Sequence, residues 1–147
     1  MVPASLAMAD DKGADLAVVV NKDTPLDNVD LATLAKIFKC EKVKASDSVR
    51  FAVAMRESGS PERAAALKQI YQMTDANYQK YFLQATFTGQ VQAAPKKLGS
   101  VASLKQFVSN TPGAISYMRG SDLDDSVKVV KVDGKAPGEA GYGLKIN

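Results

Sequence analysis

The sequence predicts an α/β fold: one layered domain with a mixed, mostly parallel sheet flanked by helices. Three observations lead there. Segments patterned like strands alternate with segments whose apolar residues recur at helical spacing. Leu16-Ala17-Val18-Val19-Val20 is an unbroken apolar run, as in strands buried on both faces of a largely parallel sheet. And 147 residues, 46% hydrophobic and 24% charged, suffice to bury one core without disulfide or metal staples.

Taken in order, the first strand is closed by the polar stretch Asn21-Lys22-Asp23-Thr24-Pro25. Asp30 can cap a helix over Leu31 to Phe38, where Leu31, Leu34, Ile37 and Phe38 share a face. Val49, Phe51, Val53 and Met55 alternate with Arg50, Ala52 and Ala54, the period of a strand with one strongly apolar face. That strand runs out in Arg56-Glu57-Ser58-Gly59-Ser60, and Ser60 caps a helix with Pro61 at its first position and a buried stripe of Ala64, Leu67, Ile70 and Tyr71. A further helix starts at Thr74 or Asp75, carries Tyr78, Tyr81 and Phe82 toward Phe87, and ends at Thr88-Gly89.

Gln90 to Gly99 reads as a loop, and Ser100 caps a short helix bearing Val101, Leu104, Phe107 and Val108. Asn110-Thr111-Pro112-Gly113 is a turn. Ala114 to Met118 and Val127 to Val132 are strands, the last closed by Asp133-Gly134, with an irregular glycine-bearing tail beyond. Val18, Val53, Ile115 and Val129 should therefore lie on adjacent strands of one sheet.

Composition excludes several function classes. The net charge of +3 comes from scattered lysines, with no basic stripe interleaved with aromatics, so nucleic acid is not an expected partner. The chain has no histidine, which removes the commonest general base and the Ser-His and Cys-His pairs, and nothing marks another catalytic pair. It is read as a non-enzyme without a cofactor. Cys40 is the one cysteine, and Asp122, Asp124 and Asp125 lack the spacing of a calcium loop, so no metal site is expected. Ala7-Met8-Ala9 before Asp10-Asp11-Lys12 has the A-x-A form of a signal-peptidase site. Residues 1–9 are accordingly read as a signal-peptide remnant, and 10–147 as one exported domain.

The order of elements resembles the second lobe of the phosphate-type periplasmic solute-binding proteins of bacterial transporters. The matching pieces are Val18-Val19-Val20-Asn21, the helix Leu31 to Phe38, and Arg56 with Gly59-Ser60 at a helix start. Thr111-Pro112-Gly113-Ala114-Ile115-Ser116-Tyr117 is the most specific piece, and Val127 to Gly134 before a late Tyr142 completes the set. The resemblance implies a periplasmic location, phosphate or a similar oxyanion as ligand, and association with ABC-type transport or sensing. It covers one lobe of a two-lobed family, so the face a second lobe would cover admits a homodimer or a partner complex. Cys40 stands where the family commonly has glycine.

Arg56, Ser58, Gly59, Ser60 and Arg63 form the candidate oxyanion site, since a helix N-terminus offers amides and a favourable field and a guanidinium offers paired donors. The family's Ser-Gly-Thr is interrupted here by Pro61, which removes an amide donor, and by Glu62, which adds a negative charge. Two readings stay open. Either the segment binds an oxyanion, or Ser60-Pro61-Glu62 is simply a well-made helix start in a ligand-free interaction module that docks on a membrane receptor, transporter or sensor.

Overall fold

The computed structural model describes residues 14–41, 50–91 and 94–146. The Ala7-Met8-Ala9 motif and Val49 lie outside them. Six strands form one sheet: β1 (Leu16–Val20), β2 (Asn28–Val29), β3 (Ala52–Arg56), β4 (Lys96–Leu98), β5 (Ala114–Arg119) and β6 (Lys128–Val132). Their spatial order is β2-β6-β1-β5-β3-β4. Val129, Val18, Ile115 and Val53 thus fall on four neighbouring strands, as the patterning predicts.

The pairs β2 with β6, β5 with β3 and β3 with β4 are parallel. β1 is the exception, antiparallel to both of its neighbours, with Val18 opposite Tyr117 on one side and Val130 on the other. All five β1 residues are buried, so the apolar run correctly predicts a strand covered on both faces. Its direction is set by strands that arrive about a hundred residues later, and its composition carries no sign of it.

The helices are α1 (Leu31–Phe38), α2 (Pro61–Ala66, continued by a π-helical turn over Leu67–Tyr71), α3 (Asp75–Phe87) and α4 (Val101–Asn110). Each starts at the expected cap: Asp30, Ser60, Thr74 and Ser100 accept from the amides of Thr33, Arg63, Asn77 and Ser103. One sheet face packs Leu16, Val18, Val53, Met55 and Tyr117 against Leu34, Phe38, Ile70, Tyr71 and Phe82 of α1 to α3. The opposite face packs Val19, Ala114 and Met118 against Val108 of α4.

Two expectations are corrected. Lys96–Leu98, read as loop, is the edge strand β4, hydrogen-bonded in parallel to Ala54, Met55 and Arg56. Its side chains are mostly exposed, so it lacks the apolar alternation by which strands are recognised. Ala64, placed on the buried stripe, is exposed, while Ala65 and Ala66 are buried. The π turn shifts the helix phase after Ala66, so a constant helical period misplaces the face upstream of it.

The C-terminal segment returns to the start of β1. The Ile146 amide donates to the Ala14 carbonyl at 2.7 Å, the Leu16 amide to the Leu144 carbonyl at 3.0 Å, and the Tyr142 hydroxyl to the Leu16 carbonyl at 2.5 Å. Buried Asp15 accepts from the Lys145 ammonium at 2.7 Å and from the Gly138 amide at 2.7 Å.

Candidate functional site

Every strand except β1 points the same way, so one edge of the sheet gathers five strand C-termini and the N-termini of α1, α2 and α4, which follow β2, β3 and β4. Ligands of open α/β sheets settle at such edges. The predicted constellation lies at the β3 to α2 connection on this edge. Gly59 has φ +96°, a left-handed conformation that glycine adopts without strain, and it turns the chain into the Ser60 cap.

The structure brings these residues together but gives them different tasks. Arg63 is almost fully buried, with its side chain 2% exposed. One guanidinium nitrogen donates to the Arg56 carbonyl at 3.1 Å and the other to Asp75 Oδ1 at 3.0 Å, while the Tyr78 ring lies 4.7 Å from the guanidinium carbon. Ser58 Oγ donates to Asp75 Oδ2 at 3.1 Å. The Arg63 hydrogen bond, more than any other contact, holds the Asp75 carboxyl below its ordinary range.

Arg56 ends β3, and its amide donates to the Tyr117 hydroxyl at 3.0 Å. Strand alternation sends Val53 and Met55 toward α2, which puts the Arg56 side chain on the other side of the strand from Met55. Among the described residues, the only buried side-chain polar atoms without a hydrogen-bond partner are Arg56 Nε and Arg63 Nε. Both belong to this junction.

A cleft of about 370 Å³ opens beside the start of α2, lined by Gly59, Ser60, Arg63, Lys68, Thr74 and Asp75 among others. Arg56 is not among the described residues lining it. The first turn offers few amides: Pro61 has none, the Arg63 amide is taken by Ser60 Oγ, and the Ser60 amide leans back 3.4 Å to the Glu57 carbonyl. Glu62 does not line the cleft either. Its carboxylate meets Arg119 Nε at 3.4 Å from the end of β5, so its charge is offset there.

Sequence reasoning missed Asp75 and Arg119. Asp75 is legible only as the first residue of a helix, and Arg119 only as the end of a strand. Their partners lie 12 and 57 positions away and meet them only in the fold. Tyr78, read as core, is buried and also carries the face that Arg63 rests on. Cys40 is half-buried, and burial pushes its thiol up to about 11, which makes it a poor nucleophile. Among the described residues no group of three or more His, Cys, Asp or Glu is placed to hold a metal ion, and no helix is long and apolar enough to cross a membrane.

No known family model matches the chain. Solved structures do. The fold matches a protein assigned as a phosphate ABC transporter substrate-binding protein, with bound phosphate, from Clostridium perfringens: TM-score 0.66, 22% identity, 84% of this chain and 47% of the other. This is the lobe fold of the phosphate-type substrate-binding proteins. An ABC-type phosphate transport receptor from Vibrio cholerae matches with TM-score 0.62 and 20% identity, over 84% of this chain and 48% of the other. PstS from Borrelia burgdorferi matches with TM-score 0.66 and 16% identity, over 93% and 59%. The chain thus spans about half the length of the substrate-binding proteins whose fold it shares.

Proposed function

We propose that this chain is a substrate-binding-like protein of ABC-type transport or sensing, which holds phosphate or a similar oxyanion at the β3 to α2 junction. One observation carries the reading: the two buried guanidinium N–H groups without partners, on Arg56 and Arg63, sit at this junction. An orphaned buried donor is costly, and an oxyanion is a natural acceptor for a guanidinium N–H. Substrate-binding proteins of the same fold, one with bound phosphate, support it.

In this reading Arg56 is the guanidinium that meets the ligand, Gly59 and Ser60 shape the approach, and Ser58 and Arg63 supply further donors. Residues 10–147 act as one exported unit after cleavage following Ala7-Met8-Ala9, and a second copy or a partner protein completes the clamp.

Calorimetric titration with phosphate, sulfate and simple carboxylates tests the reading. The isolated chain should bind phosphate no more tightly than about millimolar, roughly 4 kcal/mol, because one lobe leaves the anion half hydrated. Arg56→Ala should weaken that binding by about 1.5–3 kcal/mol, the scale of hydrogen bonds to charged groups. Phosphate binding indifferent to Arg56 would refute the assignment.

A second reading, a ligand-free module that docks on a membrane receptor, transporter or sensor, is favoured by a different observation. Asp75, a carboxylate of the chain itself, already occupies Ser58 and Arg63. Absence of binding by any of these anions at tens of millimolar would select it.

A further inference from the structure

We propose that Asp75 is an internal occupant of the oxyanion site, a carboxylate that a ligand must replace on Ser58 and Arg63. The inference rests on the oxyanion reading of this junction and adds the residue that sets its affinity.

The two Asp75 oxygens accept from separate donors, as a bound anion's would. Oδ1 takes Arg63 Nη2 at 3.0 Å and Oδ2 takes Ser58 Oγ at 3.1 Å, so one carboxylate spans two donors on different elements. Gln79 Nε2, one turn along α3, adds a contact of 3.4 Å to Oδ1. Asp75 and Arg63 both line the cleft beside α2, which has room for a tetrahedral anion.

The two partners are held unequally. The Arg63 guanidinium is anchored by the Arg56 carbonyl and the Tyr78 ring, and stays in place if Asp75 withdraws. The Asp75 side chain is 42% exposed and sits at the first position of α3, where one χ1 rotation takes the carboxylate into solvent. The exposed member is therefore the displaceable one. While it stays, it blocks the donors and repels an incoming anion; once gone, it leaves a buried guanidinium short of an acceptor. An oxyanion in the cleft restores both bonds.

The test compares the full chain with Asp75→Asn and Arg56→Ala, using inorganic phosphate in calorimetry and thermal denaturation. Asp75→Asn should bind phosphate at least about tenfold more tightly than the parent, because the repelling charge is removed and the amide oxygen left in its place is a weaker competitor for Arg63. Its melting temperature, lowered by loss of the counter-ion, should be recovered by millimolar phosphate and not by chloride at equal ionic strength. If Asp75→Asn is unfolded in chloride, refolding in phosphate decides: recovery supports the proposal and failure overturns it. Arg56-dependent phosphate binding that Asp75→Asn leaves unchanged or weakens overturns the role of Asp75 and leaves the oxyanion reading standing. No phosphate binding and no phosphate-specific recovery in any variant removes both.

Discussion

The Tyr71 hydroxyl donates to the Phe38 carbonyl at 2.7 Å, and both residues are buried. The bond ties the π turn after α2 to the last turn of α1, across a cluster in which Phe38 and Tyr71 meet edge to face at 6.0 Å. Tyr71→Phe keeps the ring and leaves the Phe38 carbonyl, among the side chains of the described residues, with the Cys40 thiol 3.9 Å away. It should destabilise the fold by about 1–3 kcal/mol, the cost of a buried unsatisfied acceptor. Urea unfolding should show a lower midpoint at an unchanged slope.

Four tyrosines make the protein sensitive to alkali. Burial raises Tyr78 to about 12, and raises Tyr71, Tyr117 and Tyr142 as well, above an ordinary value near 10. Once the pH passes 10, the unfolded chain loses phenolic protons that the folded chain still holds, so the folded state binds more protons and stability falls. Below pH 10 these groups contribute fully. Urea midpoints measured at pH 8, 10 and 11 should fall over the last interval, and a flat or rising trend would contradict the burial of these hydroxyls.

Asn21 closes β1 against the end of α4. Its amide nitrogen reaches the carbonyls of Val108, Ser109 and Thr111 at 2.9, 3.3 and 3.1 Å, and its oxygen accepts from the Asp23 amide at 2.9 Å. Asn21→Ala should cost about 2–4 kcal/mol by leaving several acceptors unpaired. Asn21→Asp should cost more, because it turns a carboxylate toward three carbonyl oxygens. Thermal melts of the two variants give the order.

Arg56 separates binding from stability. Its side chain makes no hydrogen bond to the described residues, so Arg56→Ala should change unfolding free energy by less than about 1 kcal/mol. A large loss of stability would assign Arg56 to holding the fold and undercut its place in an oxyanion site.

What could be read from the sequence was what local chemistry decides. The caps at Asp30, Ser60, Thr74 and Ser100 are legible because each oxygen bonds an amide three residues on. Cys40, noted as standing in a glycine position, has φ 60° just beyond α1, where its amide and that of Glu41 return to the carbonyls of Ile37 and Lys36. That is a left-handed helix stop, which glycine fits at least cost. The direction of β1, the existence of β4 and the capture of Arg63 by Asp75 are settled between distant segments, and no local pattern encodes them. At the site, the holding of Arg63 by Asp75 and the turning of Glu62 toward Arg119 are likewise long-range and leave no mark in the local sequence.

The bond from Ile146 to Ala14 makes the described unit nearly a closed ring. A splice of only a few residues could seal it, so the chain should tolerate being reopened elsewhere, at an exposed turn such as Gly89-Gln90, with the sheet order preserved. The same closeness lets the unit be carried as an insert: a host protein that offered it a surface loop would need to part its own backbone by little more than the width of one strand pair.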